Sequence, residues 1–273
     1  MSGGRWIITC VLLSMPLSGS AQTLGGPGPV PTAPRSHGFL TAFRTNVDVT
    51  HLGGADADER FNWDADLSVD IDVVDAGFFR GSLFVDIETI VGSQIRNVDP
   101  NQNNYTADMS AFLRLPHGEL MTTFHHVSRH LSDRATETSI SWNMVGVGYG
   151  HRFSLGRVDL DANGRALWTI ERAGVDYDAQ FDGQVRLTLP LKERYALTTS
   201  AGAVAVQIDP LESGRDSRTG GHVEGGLRIS TGVTTVDLFV ALEQRIDAIP
   251  GSEDLARWTK LGIRLTAPIS RRP

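Results

Sequence analysis

The sequence predicts an all-β protein: a transmembrane antiparallel β-barrel of about twelve strands in an up-and-down meander. Three observations carry that prediction. Apolar and polar residues alternate along segments of roughly ten residues, the length that crosses a bilayer obliquely. Long polar connections alternate with tight turns, as extracellular loops alternate with periplasmic turns in outer-membrane barrels. The chain also opens with the pattern of a secretory signal.

In that opening, Arg5 precedes an apolar run over 6–17 that is too short to span a bilayer as a helix, and Gly19-Ser20-Ala21 supplies small residues for cleavage. Residues 1–21 are therefore expected to be a signal peptide. Cys10, the one cysteine, leaves with it, which excludes a disulfide framework and a thiolate metal site from the mature chain. Residues 22–37 read as a flexible leader, because Gly25-Gly26-Pro27-Gly28-Pro29, Pro31 and Pro34 hold neither a helix nor a strand ladder. The barrel is assigned to 38–273. A formal charge of -7 argues against nucleic acid as a partner.

A first strand is placed over 38–49. The second, over 61–73, alternates most strictly: Phe61, Trp63, Ala65, Leu67, Val69, Ile71 and Val73 share one face, and Asn62, Asp64, Asp66, Ser68, Asp70 and Asp72 the other. Further oily faces begin at Phe79, Tyr105, Val158, Tyr177, Val236 and Leu261, and the last strand is placed over 257–267. Several start or finish in Trp, Tyr or Phe, as an interfacial aromatic girdle requires. Long connections are expected at 51–59, 93–104, 129–137, 172–176, 210–221 and 247–256, with tight turns at 75–77, 116–118, 154–156, 192–194 and 231–233. The chain ends Arg271-Arg272-Pro273 rather than in the aromatic residue that closes many outer-membrane barrels, so the barrel-assembly machinery is expected to read another signal.

The polar faces would turn Asp64, Asp66, Asp70, Asp72, Asp86, Glu88, Asp159, Asp161, Asp178 and Asp182 inward with Arg80, Arg114, Arg165 and Arg186. Two interiors fit them: one packed with ion pairs, or a narrow cation-preferring pore.

Groups able to do chemistry gather in one stretch, Phe-His-His-Val-Ser-Arg-His-Leu-Ser-Asp-Arg over 124–134. A strand over 119–128 rises from the 116–118 turn, so its far end reaches the extracellular rim. Leu120, Phe124, His126 and Ser128 share one face, assigned to lipid; Met121, Thr123, His125 and Val127 share the other. A symmetric hairpin pairing Ser128 with Ser141 sets Asn143 opposite His126. A hydroxyl becomes a nucleophile when a base takes its proton, and an amide oxygen can hold that base in the required tautomer.

The run His126-Val127-Ser128-Arg129-His130-Leu131-Ser132-Asp133 resembles the His-x-Ser-x-His-Leu-x-Asp motif of an uncharacterised outer-membrane family, domain of unknown function 1207, which has no established activity. More distantly, His126-x-Ser128 followed by Ser141-Trp142-Asn143 is similar to outer-membrane phospholipase A, a twelve-stranded barrel with a lipid-facing Ser-His-Asn site that uses calcium. That resemblance implies Ser128 as nucleophile, His126 as general base and Asn143 as its orienting partner. The chain departs from it in the Arg129-His130 that follows the serine, where the phospholipase has Asn-Gly at its oxyanion site; the oxyanion donor and calcium ligands are therefore unassigned, Arg129 being a group that could supply charge and Ser132 and Asp133 groups that could hold calcium. The residues leave two further readings open, a non-catalytic polar rim and a metal or ligand site using His125, His126 and His130. Expected partners are membrane lipids or lipopolysaccharide and, in a weak homodimer, a second copy.

Overall fold

A computed structural model describes residues 37–54, 56–131, 140–232, 234–249 and 255–268. The strands are β1 (His37–Gly53), β2 (Trp63–Ala76), β3 (Phe79–Gly92), β4 (Asp99–Leu115), β5 (Gly118–Leu131) and β6 (Ile140–Leu155), followed by β7 (Val158–Ala173), β8 (Tyr177–Lys192), β9 (Tyr195–Ile208), β10 (Arg218–Ser230), β11 (Thr235–Arg245) and β12 (Ala256–Pro268). Each pairs antiparallel with the next in sequence, and β1 pairs with β12 to close the barrel. The class, meander order and strand number are those the alternation predicts. The expected signal and all of the leader except His37 lie outside the described residues.

The period-two pattern decides which side chains meet lipid. Along β2, Trp63, Leu67 and Val73 are exposed on the outer wall while Asp64, Ser68 and Asp72 are buried inside. Aromatic residues mark both rims of that wall. Trp63, Tyr105, Trp168 and Phe181 lie toward the long-loop end, and Tyr149 and Tyr195 toward the tight-turn end.

The interior is filled in three tiers. At the tight-turn end Arg80 bonds Asp72 and Glu119, each at 2.7 Å, and Arg114 bonds Asp75 and Glu119. Arg80 also stacks on Phe112, 3.7 Å from the ring centroid. In the middle, ion pairs tie neighbouring strands together and also reach across the lumen: Arg165 on β7 bridges Asp108 on β4 and Asp182 on β8, Arg264 on β12 bridges Asp48 on β1 and Glu224 on β10, and Arg245 and Lys260 converge on Asp64 and Glu243. At the long-loop end two apolar clusters cap the lumen, one around Trp142, Tyr177 and Ile246, the other around Phe61, Ile90 and Trp258. The interior contains the ion pairs that the first of the two expected interiors calls for.

Five expectations need correction. Phe61 is not on the lipid face: it precedes β2, is 3% exposed, and packs on Trp258 at 5.1 Å. Tyr177, also expected outside, is fully buried, because a register shift between Tyr177 and Ala179 breaks the alternation. The same shift leaves Asp178 out of the ladder and at the rim, bonded to Arg172 instead of inside, and Asp159 is exposed beside a tight turn, accepting from Ser154 Oγ at 2.6 Å. The expected 93–104 loop is shorter, since β4 starts at Asp99: its polar residues Gln102 and Asn104 face inward and bond each other, and Asn104 also bonds Glu88.

Candidate functional site

β5 rises through a lattice of paired residues that places every member of the polar cluster. Leu120 is exposed while Met121, Thr123, His125, Val127 and Arg129 are buried, so His126, Ser128 and His130 share the outward face. The register pairs Ser128 with Ser141 and His126 with Asn143. On the other side of β5, Ser128 pairs with Tyr105 of β4.

Two contacts organise the outward patch. His126 Nδ1 lies 2.7 Å from Asn143 Oδ1, and Asn143 Nδ2 donates to Glu171 Oε2 at 2.9 Å. The carboxylate fixes the amide, since its oxygens accept only and must face the NH2 group. The amide oxygen then faces the imidazole and requires the proton on Nδ1, which leaves Nε2 of neutral His126 unprotonated, the form a general base needs. The second contact joins Ser128 Oγ to His130 Nε2 at 2.8 Å, and the His130 ring meets Tyr105 edge-on with centroids 5.3 Å apart. The serine hydroxyl is thus engaged by His130, not His126, although both imidazoles are two residues away on its own face.

Glu171 and the Ser128–His130 bond were not foreseen from sequence. Glu171 reaches Asn143 because the β6–β7 register shifts between Asn143 and Met144, turning both Ile170 and Glu171 outward. Strict alternation gives no signal of such a bulge.

His125 takes no part. It is 2% exposed, faces the lumen and bonds Asp108 at 2.5 Å, so a three-histidine metal site is not assembled. Arg129, the group that could supply charge to an oxyanion, also points inward: Nη1 donates to the Asp247 carbonyl at 2.8 Å and the guanidinium lies 5.3 Å from the Trp142 ring centroid. It cannot stabilise charge on the lipid face. For calcium, the described rim carboxylates near the patch are already committed, Glu171 to Asn143 and Asp178 to Arg172. Ser132 and Asp133 lie outside the described residues.

Above the lumen, the loop before β8 and the loop carrying the short helix α1 (Pro210–Ser213) are tied by Arg215, which bonds Asp176 at 2.5 and 2.6 Å and Asp247 at 2.9 Å. Tyr177 donates to Asp247 Oδ2 at 2.6 Å. Burial opposes ionisation of Asp176, but the hydrogen bonds and charge of Arg215 outweigh it and lower the Asp176 pKa below its ordinary value.

The closed twelve-strand meander, aromatic rims and oily exterior define an outer-membrane-type β-barrel. Solved structures agree. The chain is similar to an outer-membrane channel from Pseudomonas putida F1, with 12% identity, 89% of this chain and 99% of that chain covered, and a TM-score of 0.56. It is similar to outer-membrane phospholipase A from Escherichia coli, at 10% identity, 84% and 97% coverage and a TM-score of 0.52. The Salmonella typhi phospholipase, crystallised as a dimer with bound calcium, gives 10%, 86%, 93% and 0.51. At such identities the likeness is one of fold alone. No protein-family profile and no curated protein matches the chain.

Proposed function

We propose that this barrel is an outer-membrane lipid acyl hydrolase whose site is Ser128, His126 and Asn143. The observation that carries the proposal is the outward Glu171–Asn143–His126 relay, which leaves His126 Nε2 without a proton on the same outward face of β5 as Ser128, two residues along the strand. A barrel rim needs polar side chains, but it does not need an imidazole whose tautomer is fixed through two further groups.

In this mechanism Ser128 Oγ attacks the ester carbonyl of a membrane lipid while His126 Nε2 accepts its proton. The imidazolium then protonates the departing alcohol oxygen, leaving the acyl group on Ser128. Water, deprotonated by the same nitrogen, cleaves that ester and releases a fatty acid. His130 holds the resting hydroxyl, which must leave it to reach His126. No step is routed through calcium.

A channel role, as the name of the Pseudomonas structure would suggest, is opposed by the ion pairs across the lumen and the two apolar clusters over it. Outer-membrane residence, contact with lipid or lipopolysaccharide and insertion by the barrel-assembly machinery belong to the same proposal. The weak homodimer does too, supported by the dimer named for the Salmonella phospholipase.

The test is fatty-acid release from phospholipid in mixed micelles. Ser128→Ala is expected to abolish it, and His126→Ala to cost about 10²–10⁴-fold. His130→Ala should leave kcat within about tenfold. Turnover that survives Ser128→Ala removes the proposal, and loss through His130 but not His126 reassigns the base.

A further inference from the structure

We infer that the lumen of the barrel binds a hard divalent cation of the calcium or magnesium type at Asp64, Asp66 and Glu88, with Asp86 beside them. This inference is independent of the hydrolase proposal, because the site faces the lumen and shares no residue with the Ser128 patch.

The strand pattern builds the cluster. Asp64 and Asp66 lie two apart on the inner face of β2, and Asp86 and Glu88 two apart on the inner face of β3. The register sets Asp66 directly opposite Glu88, and on its other side Asp66 faces Asp48 of β1. Like charges opposed across a ladder are destabilising unless something neutralises them. One oxygen from each of Asp64, Asp66 and Glu88 can be chosen so that all three lie within 4.8 Å of one another.

The positive groups in contact are too few. Arg245 and Lys260 both bond Asp64 Oδ2, at 3.1 and 2.8 Å, and both are shared with Glu243. Asp66 and Asp86 form no ion pair among the described residues.

The second observation is independent of charge counting. Asp64 is fully buried and Asp86 is 2% exposed, yet Oδ1 of each has no hydrogen-bond partner. A buried carboxylate oxygen left unpaired is among the more costly arrangements a protein can hold. The cost is relieved by a proton or by a metal ion. Geometry favours the ion, because Asp64 and Asp66 of one strand and Glu88 of the next bring an oxygen each into one small volume between strands held by their ladder. The donors are carboxylate oxygens with no thiolate or imidazole among them, which suits calcium, magnesium or manganese rather than zinc or copper. A cavity of about 70 Å³ lined by Asp66 and Asp86 adjoins the cluster, enough for one or two waters to complete the coordination shell.

The experiment uses the full barrel folded in detergent, stripped with EDTA, and titrated with calcium by calorimetry while bound metal is counted by mass spectrometry after gel filtration. The expected result is one calcium per barrel and a thermal unfolding midpoint several degrees higher with the ion. Asp66→Asn and Asp86→Asn are each expected to weaken binding by about tenfold or more, with Ser128→Ala unchanged. Both Asn variants keep the side-chain shape and remove repulsion, so the ion-free barrel should be no less stable than wild type; this is checked by its heat-dependent electrophoretic shift. Absence of saturable binding by calcium, magnesium or manganese at millimolar concentration, with an unmoved midpoint, overturns the inference in favour of protonated carboxyls. Undiminished binding in the Asp66→Asn/Asp86→Asn double variant overturns it as well, because the ion then sits elsewhere.

Discussion

Replacing Arg245 by methionine removes the guanidinium that bonds Asp64 at 3.1 Å, Glu88 at 2.8 Å and Glu243 at 2.9 Å, none of the four side chains more than 8% exposed. At an effective dielectric of about 20, a charge pair near 3 Å is worth roughly 5 kcal/mol before desolvation is subtracted. Because methionine is similar in length, the loss is chiefly that of one shared cation, Asp64 and Glu243 keeping Lys260 and Glu88 keeping Asn104, and breaking a buried ion pair from one side costs about 3–5 kcal/mol. With a urea slope near 2 kcal/mol/M, the unfolding midpoint is expected to fall by roughly 2 M. Tryptophan fluorescence is a suitable signal, since Trp258 lies 5.1 Å from the Arg245 guanidinium. The variant should also gain more stability from added calcium than wild type does. A midpoint within about 0.5 M of wild type, without added metal, would refute the reasoning by showing that these carboxylates do not depend on Arg245.

The wild-type barrel in a planar bilayer should give no resolved conductance steps, because ion pairs and the apolar caps fill the lumen; steady cation-selective steps would count against a closed interior. Gly146→Ala should cost about 1–3 kcal/mol in the same urea titration, since a Cβ on β6 would run into the Ala166 carbonyl oxygen and the Leu167 side chain. The loop clamp should loosen in acid. Asp176 has its pKa lowered in the folded state, so its contribution is present above its ordinary value of 3.8 and is lost as pH falls through the depressed one. Amide exchange around α1 should therefore rise below about pH 4 in wild type. In Arg215→Gln it should be high and flat across that range.

The barrel was legible because its signal is repeated. Asp64 to Asp72 on one parity and Trp63 to Val73 on the other leave a strand few alternatives, and a dozen such segments joined by alternating long and short connections leave the sheet little choice but to close. The hairpin that sets Asn143 against His126 followed from symmetry about a loop, and the register has that pairing. What stayed hidden lies where the ladder slips. The bulge at Tyr177 and the shift at Asn143 moved Tyr177 inward and brought Glu171 into the patch, and neither change leaves a mark in hydropathy. The choice of hydrogen bond by Ser128 is a rotamer matter between two imidazoles at equal sequence distance, which spacing cannot rank. The inner charges of β10 to β12, Glu224, Glu243, Arg245, Lys260 and Arg264, leave a weaker mark in the sequence than the oily faces of those strands. They supply much of the interior.

The central claim is that the outward patch on β5 and β6 contains an activated serine. Its most direct test is exposure of the folded barrel to a long-chain alkyl fluorophosphonate, followed by peptide mass spectrometry. The account predicts a single adduct on Ser128, formed far more slowly in His126→Ala and Asn143→Ala and absent from Ser128→Ala. An unlabelled Ser128 in a barrel that is demonstrably folded, or labelling at the same rate without His126, would contradict it.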